Sequence, residues 1–310
     1  MYAILWLGGL SKWLRFSDMK LWKYTFTILL LILTGIVLAI IQSPDRNLHI
    51  IACNVGQGDA ILITYGGTQI LNDGGPDKSV MTCLGRYMPF WDREIELIIS
   101  SHPDSDHSTG LVDVLQNYDV GEILINPIDP GTQVYKALKK EVGGRGIPVV
   151  NPVAGMELGI GLIHLDIFNP TDILLAQLTI ENGNDELAKY SIGKETNLYS
   201  VVYKLSFKNF TGLFSGDIPP EISDRLAGDP SMGTINYIKI PHHGSINGLT
   251  ENLLKVVMPK IAVISLGKNP WGFPRPEILE MLTKYNVKIL RTDQMGDIEI
   301  VTDGEKYWVE

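Results

Sequence analysis

The hydrophobic pattern of the chain has two regimes that meet near Asp45. Before it, residues 25–41 run without a charge, close to the lower length limit for a helix that crosses a bilayer. After it, short apolar segments alternate with turn residues, the pattern of a packed globular domain. The expected organisation is a leader at 1–24, a transmembrane signal anchor at 25–41 and a globular domain at 48–310.

Within the globular region, strands are predicted at 49–55 and 60–65 around the turn Gly56-Gln57-Gly58-Asp59. A third follows at 68–72 after Gly66-Gly67. A helix at 79–88 is stopped by Pro89, residues 94–100 read as a buried strand, and 110–117 as a helix behind the loop that follows it. Strands at 122–126 and 148–151 flank a helix at 133–141, and 163–168 is a further strand. The polar stretch 181–196 has little to bury and predicts a long surface loop. Residues 200–207 alternate polar and apolar, then turn at Lys208-Asn209 into 210–215 and deliver Gly216-Asp217. Strands at 237–240, 261–266 and 288–290 alternate with helices at 251–258 and 277–285. Residues 298–302 and 306–309 close as a hairpin. Sheet and helix mix in both halves, so the expected class is α/β (α+β).

Charge adds orientation. Lys12, Arg15, Lys20 and Lys23 all precede the apolar run, which puts the N-terminus in the cytoplasm and the globular domain outside. No small-x-small site follows the run, which favours an uncleaved anchor over a cleaved signal peptide. Met19 opens a stretch that would itself serve as a signal anchor, so residues 1–18 read either as a short interfacial leader or as sequence before the true start. The net charge of −9 argues against a generally DNA-coating surface but leaves room for a local basic groove. Lys136, Lys139, Lys140 and Arg145 are candidates for one; an ordinary solvated helix face explains the first three equally well. Of the two cysteines, Cys53 falls in an apolar strand and Cys83 in a helix. They read as buried free thiols, although export would permit a disulfide.

The chemistry concentrates in Ser101-His102-Pro103-Asp104-Ser105-Asp106-His107, which holds four metal-competent side chains directly behind a buried strand. Residues two apart beyond an extended segment project to one side, so His102 and Asp104 can share an ion while Asp106 and His107 reach a second. Carboxylate and imidazole mixtures suit Zn²⁺, Mn²⁺ or Fe²⁺, and paired ions can activate a water while clamping a phosphate or carbonyl oxygen. The competing reading is a polar loop that caps the next helix. Two other strand ends carry ligand chemistry, Asp217 and His242-His243. Asp217 could bridge two ions through its two oxygens, with His242 completing the second. Singly, Asp217 could cap a turn and His243 could be a satisfied core histidine.

The ordered motifs Asn54 to Asp59, Asp73-Gly74-Gly75-Pro76, Ser101 to His107, Ser215-Gly216-Asp217 and Pro241-His242-His243-Gly244-Ser245 resemble the metallo-β-lactamase fold. More narrowly, they resemble the hydrolase domain of ComEC-type competence proteins. The resemblance covers about residues 48–310. It implies an αββα sandwich holding two divalent metal ions, Zn or Mn, at one edge. It implies His102 and Asp104 on the first ion, Asp106, His107 and His242 on the second, and Asp217 between them. Asp106 and Asp217 would be catalytic, with Asp106 orienting the water. Asp59, Asp73 and His243 would give structural support, Asp73 by bracing the metal loop.

Asn197, Ser200, Ser245 and Lys268 would bind substrate, Arg275 adding positive charge. Phe273 stands where relatives commonly carry His, and Asn54 where Asp is usual. The implied activity is a membrane-anchored phosphodiesterase or nuclease linked to DNA uptake. DNA or a nucleotide would be the substrate and a separate membrane channel protein the partner, since one span cannot form a channel. Two alternatives stay open: hydrolysis of a small ester, thioester or lactam, and a catalytically degenerate module that binds DNA or a partner.

Overall fold

The computed structural model describes residues 10–41, 44–180, 185–192 and 195–310. These fall into two compact units, one ending at Pro44 and the other spanning Asp45–Glu310. In the first, Leu10–Ile41 is one continuous helix that passes without a break through the expected boundary after residue 24. The rest of the expected leader, residues 1–9, lies outside the described residues. Leu21–Ile40 has a mean hydropathy of 2.1 and is long and apolar enough to cross a membrane. The hydroxyls of Thr25, Thr27 and Thr34 donate to the carbonyls four residues back, so these polar groups are satisfied within the helix.

In the second unit the first strands are β1 (Leu48–Ala52), β2 (Ile61–Tyr65), β3 (Thr68–Asn72), β4 (Glu94–Ser100) and β5 (Asp119–Ile125). Then come β6 (Ile128–Asp129), β7 (Val149–Val150), β8 (Glu157–Ile160), β9 (Ile163–Asn169) and β10 (Tyr190–Ser191). The second half holds β11 (Val202–Phe207), β12 (Phe210–Phe214), β13 (Tyr237–Lys239), β14 (Ile261–Ile264), β15 (Lys288–Arg291), β16 (Ile298–Thr302) and β17 (Tyr307–Val309). One sheet has the order β17-β16-β1-β2-β3-β4-β5-β7, the other β15-β14-β13-β12-β11-β9-β8, and β6 pairs with β10.

Alternation along the strands makes this a four-layer sandwich. Ile50, Ile63, Ile70, Leu97 and Ile99 from the first sheet share a core with Leu165, Tyr203, Leu205, Phe214 and Val263 from the second. The opposite faces, Leu62, Leu71 and Ile98 on one side and Leu213, Ile238 and Ala262 on the other, pack under helices. Helices Ser79–Tyr87, Ser105–Asn117 and Gln133–Arg145 cover the first sheet. Pro220–Ala227, Glu251–Val257 and Pro276–Lys284 cover the second. The αββα sandwich expected from the resemblance is the architecture observed.

Three expectations need correction. Cys53 and Cys83 are not free thiols but a disulfide that ties the end of β1 to the helix Ser79–Tyr87, with Cα atoms 5.9 Å apart. The helix after the metal loop begins at Ser105 instead of 110, so Asp106 and His107 occupy its first turn. Within the expected surface loop, residues 181–184 and 193–194 lie outside the described residues. The remainder includes β10, and its last residue, Thr196, opens the 3₁₀ turn Thr196–Tyr199.

Strand direction positions the site. β3, β4, β5 and β7 run parallel in one sheet, and β12, β13, β14 and β15 in the other. Ligand chemistry follows the carboxyl ends of β3, β4, β12 and β13, where open α/β sheets converge their loops.

Candidate metal centre

The first turn of helix Ser105–Asn117 is clamped by two glycine-dependent turns. The backbone N–H of Asp59 donates to the Asp106 carbonyl at 3.2 Å, and that of Gly74 to the His107 carbonyl at 2.7 Å. A Cβ on Gly58 would fall 2.1 Å from the Asp106 carbonyl oxygen, and one on Gly110 would fall 2.0 Å from that of Gly74. Only glycine permits either approach.

Three imidazoles then meet with the same polarity. His107 Nδ1 donates to Asp73 Oδ2 at 3.0 Å, and His243 Nδ1 to the Ser265 carbonyl at 2.8 Å. His102 Nδ1 donates to Ser101 Oγ at 2.9 Å, while that hydroxyl donates onward to Asp73 Oδ2 at 2.7 Å. Each ring is thereby held so that Nε2 faces the cluster, and all three Nε2 atoms are buried without a hydrogen-bond partner. A buried polar atom without a hydrogen bond costs about 1–3 kcal/mol, so three in one place, with only carboxylate oxygens 3.3–3.7 Å away, require an explanation. Imidazoles oriented through Nδ1 by a carboxylate or carbonyl, with Nε2 left over, are arranged as metal ligands are.

The carboxylates complete the donor set. Asp217 Oδ2 lies 3.4 Å from His107 Nε2 and 3.3 Å from His243 Nε2. Asp106 Oδ2 lies 3.4 Å from His243 Nε2, and Asp104 Oδ2 lies 3.7 Å from His102 Nε2. The donors group as His102, His107 and Asp217, and as Asp106, His107 and His243, each within the span one ion can bridge. The residues therefore fit a divalent metal.

Two ligand assignments change. His243, assigned to structural support, turns its Nε2 into the cluster, whereas His242 is half-buried and sets its ring 5.8 Å from that of Phe273. Both residues adopt left-handed backbone, φ 51° and 53°, a conformation rare outside glycine, and that turn decides which ring faces inward. Asp217 also does not offer both oxygens. Its Oδ1 accepts from Lys239 Nζ at 3.1 Å and from the His242 N–H at 3.2 Å, which leaves Oδ2 for a metal.

Lys239 was missed. It is 2% exposed, and its ammonium pairs with Asp59 Oδ2, Asp217 Oδ1 and the Gly216 carbonyl. Burial alone would lower its pKa, but the two carboxylates override that and hold it above the ordinary lysine value. A lysine in the otherwise apolar segment 237–240, directly before a histidine pair, was the available signal. Ser101, Ser265 and Thr196 are further partners. Thr196 Oγ1 donates to Asp104 Oδ1 at 2.5 Å.

Electrostatics divides the histidines. Burial, with His107 beside it, holds His102 below its ordinary pKa. Burial opposes protonation of His107 and His243 as well, but Asp217 with Asp106 raises the first and Asp217 with Asp59 raises the second. Asp106 and Asp217 are themselves held low, against burial, by the surrounding imidazoles and Lys239. A cation entering the cluster must displace the protons of His107 and His243.

Other assigned residues divide by location. Asp73 is fully buried at φ 59°, and its carboxylate accepts from the Ser101 N–H, the Ser101 hydroxyl, His107 and Asn72. Asp59 pairs with Lys239. A cleft of about 530 Å³ opens over the cluster and takes in Asn197 and Lys268, together with Gln57, Trp271 and Phe273. Ser200 and Ser245, assigned to substrate, do not line it. Ser200 Oγ is buried and accepts from the Asp217 N–H, and Ser245 Oγ accepts from the Asn247 N–H.

No family model matches the chain. Recombination protein 2 of Haemophilus influenzae is 25% identical over 283 residues, covering 90% of this chain and 32% of that protein. ComE operon protein 3 of Bacillus subtilis is 24% identical over 271 residues, 79% of this chain and 32% of that protein. The chain thus spans about a third of the length of these competence-type relatives. Among solved structures, the metallo-β-lactamase fold protein YhfI from Bacillus subtilis superposes with a TM-score of 0.54 at 11% identity, over 83% of this chain and all of that one. CmlA, a diiron β-hydroxylase from Streptomyces venezuelae, reaches 0.52 at 12% identity, over 84% of this chain and 54% of that one. The chain has the metallo-β-lactamase fold and resembles the ComEC-type proteins. CmlA is a β-hydroxylase, so the fold alone does not choose a reaction.

Proposed function

We propose that this chain is a membrane-anchored hydrolase that cleaves phosphodiesters of nucleic acid with two divalent ions, and that its catalytic domain lies outside the cytoplasm. The observation that carries the reading is the convergence of three unpartnered Nε2 atoms with Asp106 and Asp217 at a cleft open to solvent. His107 has one Nε2 to give. The donors therefore divide into His102 with Asp104, and Asp106, His107 and His243, with Asp217 Oδ2 between the two sets. Carboxylate-rich sets of this kind suit Mn²⁺ or Zn²⁺.

Such ions would supply Lewis acidity at a phosphate oxygen and a water of near-neutral pKa. The protein's part is positional. Asp106, whose side chain is 32% exposed, faces both His243 and the cleft, where it can orient a water by accepting its proton in a hydrogen bond. Lys239 fixes Asp217, and Lys268, exposed at the cleft, contributes positive charge toward a phosphate in an otherwise acidic chain.

Resemblance to competence proteins favours DNA as the polymer. Two features support the location: the basic flank before the apolar helix, and the Cys53–Cys83 disulfide, which persists in oxidising compartments. A separate membrane channel protein is the partner this reading calls for. The test is cleavage of labelled DNA by the full chain in detergent. Activity that falls steeply between about 50 and 200 mM salt supports a nucleic-acid substrate. Hydrolysis of p-nitrophenyl acetate with no DNA cleavage would replace the reading by a small-ester hydrolase.

A further inference from the structure

Beside the metal cluster stands a feature that the phosphodiesterase reading does not use. Trp271 is 57% exposed, although large aromatic side chains are ordinarily mostly buried. Its ring stacks on Phe273, with centroids 5.9 Å apart and planes inclined by 25°. Phe273 in turn sets its edge against His242 at 5.8 Å, and His242 adjoins the ligand candidate His243 at 6.4 Å. A ladder of rings therefore runs from solvent to the cluster along one wall of the cleft.

The loop that carries the ladder is internally braced. Asn269 Nδ2 donates to the carbonyls of Gly267 and Phe273 at 2.9 and 3.1 Å, and Asn269 Oδ1 accepts from the Phe273 N–H at 2.9 Å. The Arg275 N–H ties the far end to the Gly244 carbonyl at 2.9 Å. Trp271 thus presents an aromatic face from a fixed loop, with Lys268 on the same cleft. An exposed aromatic platform and a cation along one groove that ends at a cluster of metal-ligand candidates is an arrangement suited to unpaired bases. Every base has a π-face, and the cation follows the backbone.

Resting on the phosphodiesterase reading, we infer that Trp271 and Phe273 form a base-stacking subsite that holds an unpaired nucleobase beside the scissile phosphate. The substrate class is single-stranded nucleic acid. Phe273 then serves as the second layer of the platform.

Fluorescence anisotropy tests this with the full-length protein in detergent micelles and Ca²⁺ at fixed salt. The probes are a fluorescein-labelled dT15 and an abasic oligonucleotide of the same length. The expected result is that dT15 binds at least about 10-fold tighter than the abasic strand. Trp271→Ala removes that preference and Trp271→Phe keeps most of it. Equal affinity for the two strands, or an equal loss for both in Trp271→Ala, overturns the subsite. So does Trp271 emission that responds to phosphatidylglycerol vesicles but not to dT15, which would assign the ring to the membrane. Failure of the underlying reading shows separately. Absence of Mn²⁺-dependent turnover of both bis(p-nitrophenyl) phosphate and dT15 removes the phosphodiesterase, while the anisotropy still decides whether bases bind.

Discussion

Lys239 Nζ lies 3.1 Å from Asp217 Oδ1, so the ligand candidate at the centre of the cluster has one oxygen held by a buried ammonium and one turned to the histidines. The same ammonium pairs with Asp59. Removing one partner of a buried ion pair leaves an uncompensated charge and costs about 3–5 kcal/mol. Lys239→Met is therefore expected to lower the unfolding free energy by that order. Lys239→Arg should fail to restore it, because a planar guanidinium does not fit a pocket shaped for a compact ammonium. Urea unfolding of the three proteins checks this, and a loss under about 1 kcal/mol for Lys239→Met would remove the role.

The two adjacent histidines give a sharper contrast. His243→Ala removes a ring whose Nε2 faces Asp106 and Asp217, whereas His242→Ala removes one that lies against Phe273. Metal content after dialysis should drop by about one ion per chain in the first variant and stay unchanged in the second. The reverse pattern would restore the assignment made from the sequence.

That contrast marks where sequence reading stopped. Strand β4 and the motif behind it were legible because a continuous apolar run ended in four ligand-type residues, and β3, β4 and β16 fall at the bounds expected for them. Which of His242 and His243 points inward was not legible, because consecutive left-handed residues break the period-two rule that governs strands. Helix Pro220–Ala227 and strand β8 were missed. The helix opens on Pro219-Pro220, which read as a turn behind Asp217, and β8 alternates half-buried and exposed positions without a strong apolar face. The cysteines read as free thiols because spacing carries no information about Cα separation.

Asp73 braces two candidate ligands at once, His107 directly and His102 through Ser101. Asp73→Asn keeps the volume but loses acceptor capacity on at least one side. Metal affinity should weaken about 10- to 100-fold while the circular dichroism spectrum is retained. Calorimetric titration with Mn²⁺ measures it, and an unchanged affinity would mean that Asp73 serves only the backbone turn.

The raised pKa values of His107 and His243 fix the sign of a pH effect. Both rings hold protons when folded at a pH where they would lose them unfolded. Their contribution to the chelated protein is complete below the unfolded value of about 6.5 and is lost as pH rises through the folded values. The Tm in EDTA should therefore fall as pH is raised above about 6.5. Mn²⁺ competes with those same protons, so the rise in Tm on adding it should grow over the same interval. Parallel Tm curves with and without Mn²⁺ would show that the metal does not meet these histidines.

The disulfide tests location without reference to activity. Protein taken from membranes and unfolded in the presence of a thiol-alkylating reagent should yield no modified cysteine without reductant, and modification of both Cys53 and Cys83 after reduction. Full modification without reductant would place the domain in the cytoplasm.

The most direct measurement is cleavage of 5′-labelled single-stranded DNA by Mn²⁺-reconstituted full-length protein, with bound metal quantified in the same samples. The account predicts cleavage that rises with metal content up to two ions per chain. It should vanish on chelation and in Asp106→Ala, whose fold is intact. A folded protein that carries two ions and leaves every phosphodiester whole would contradict it.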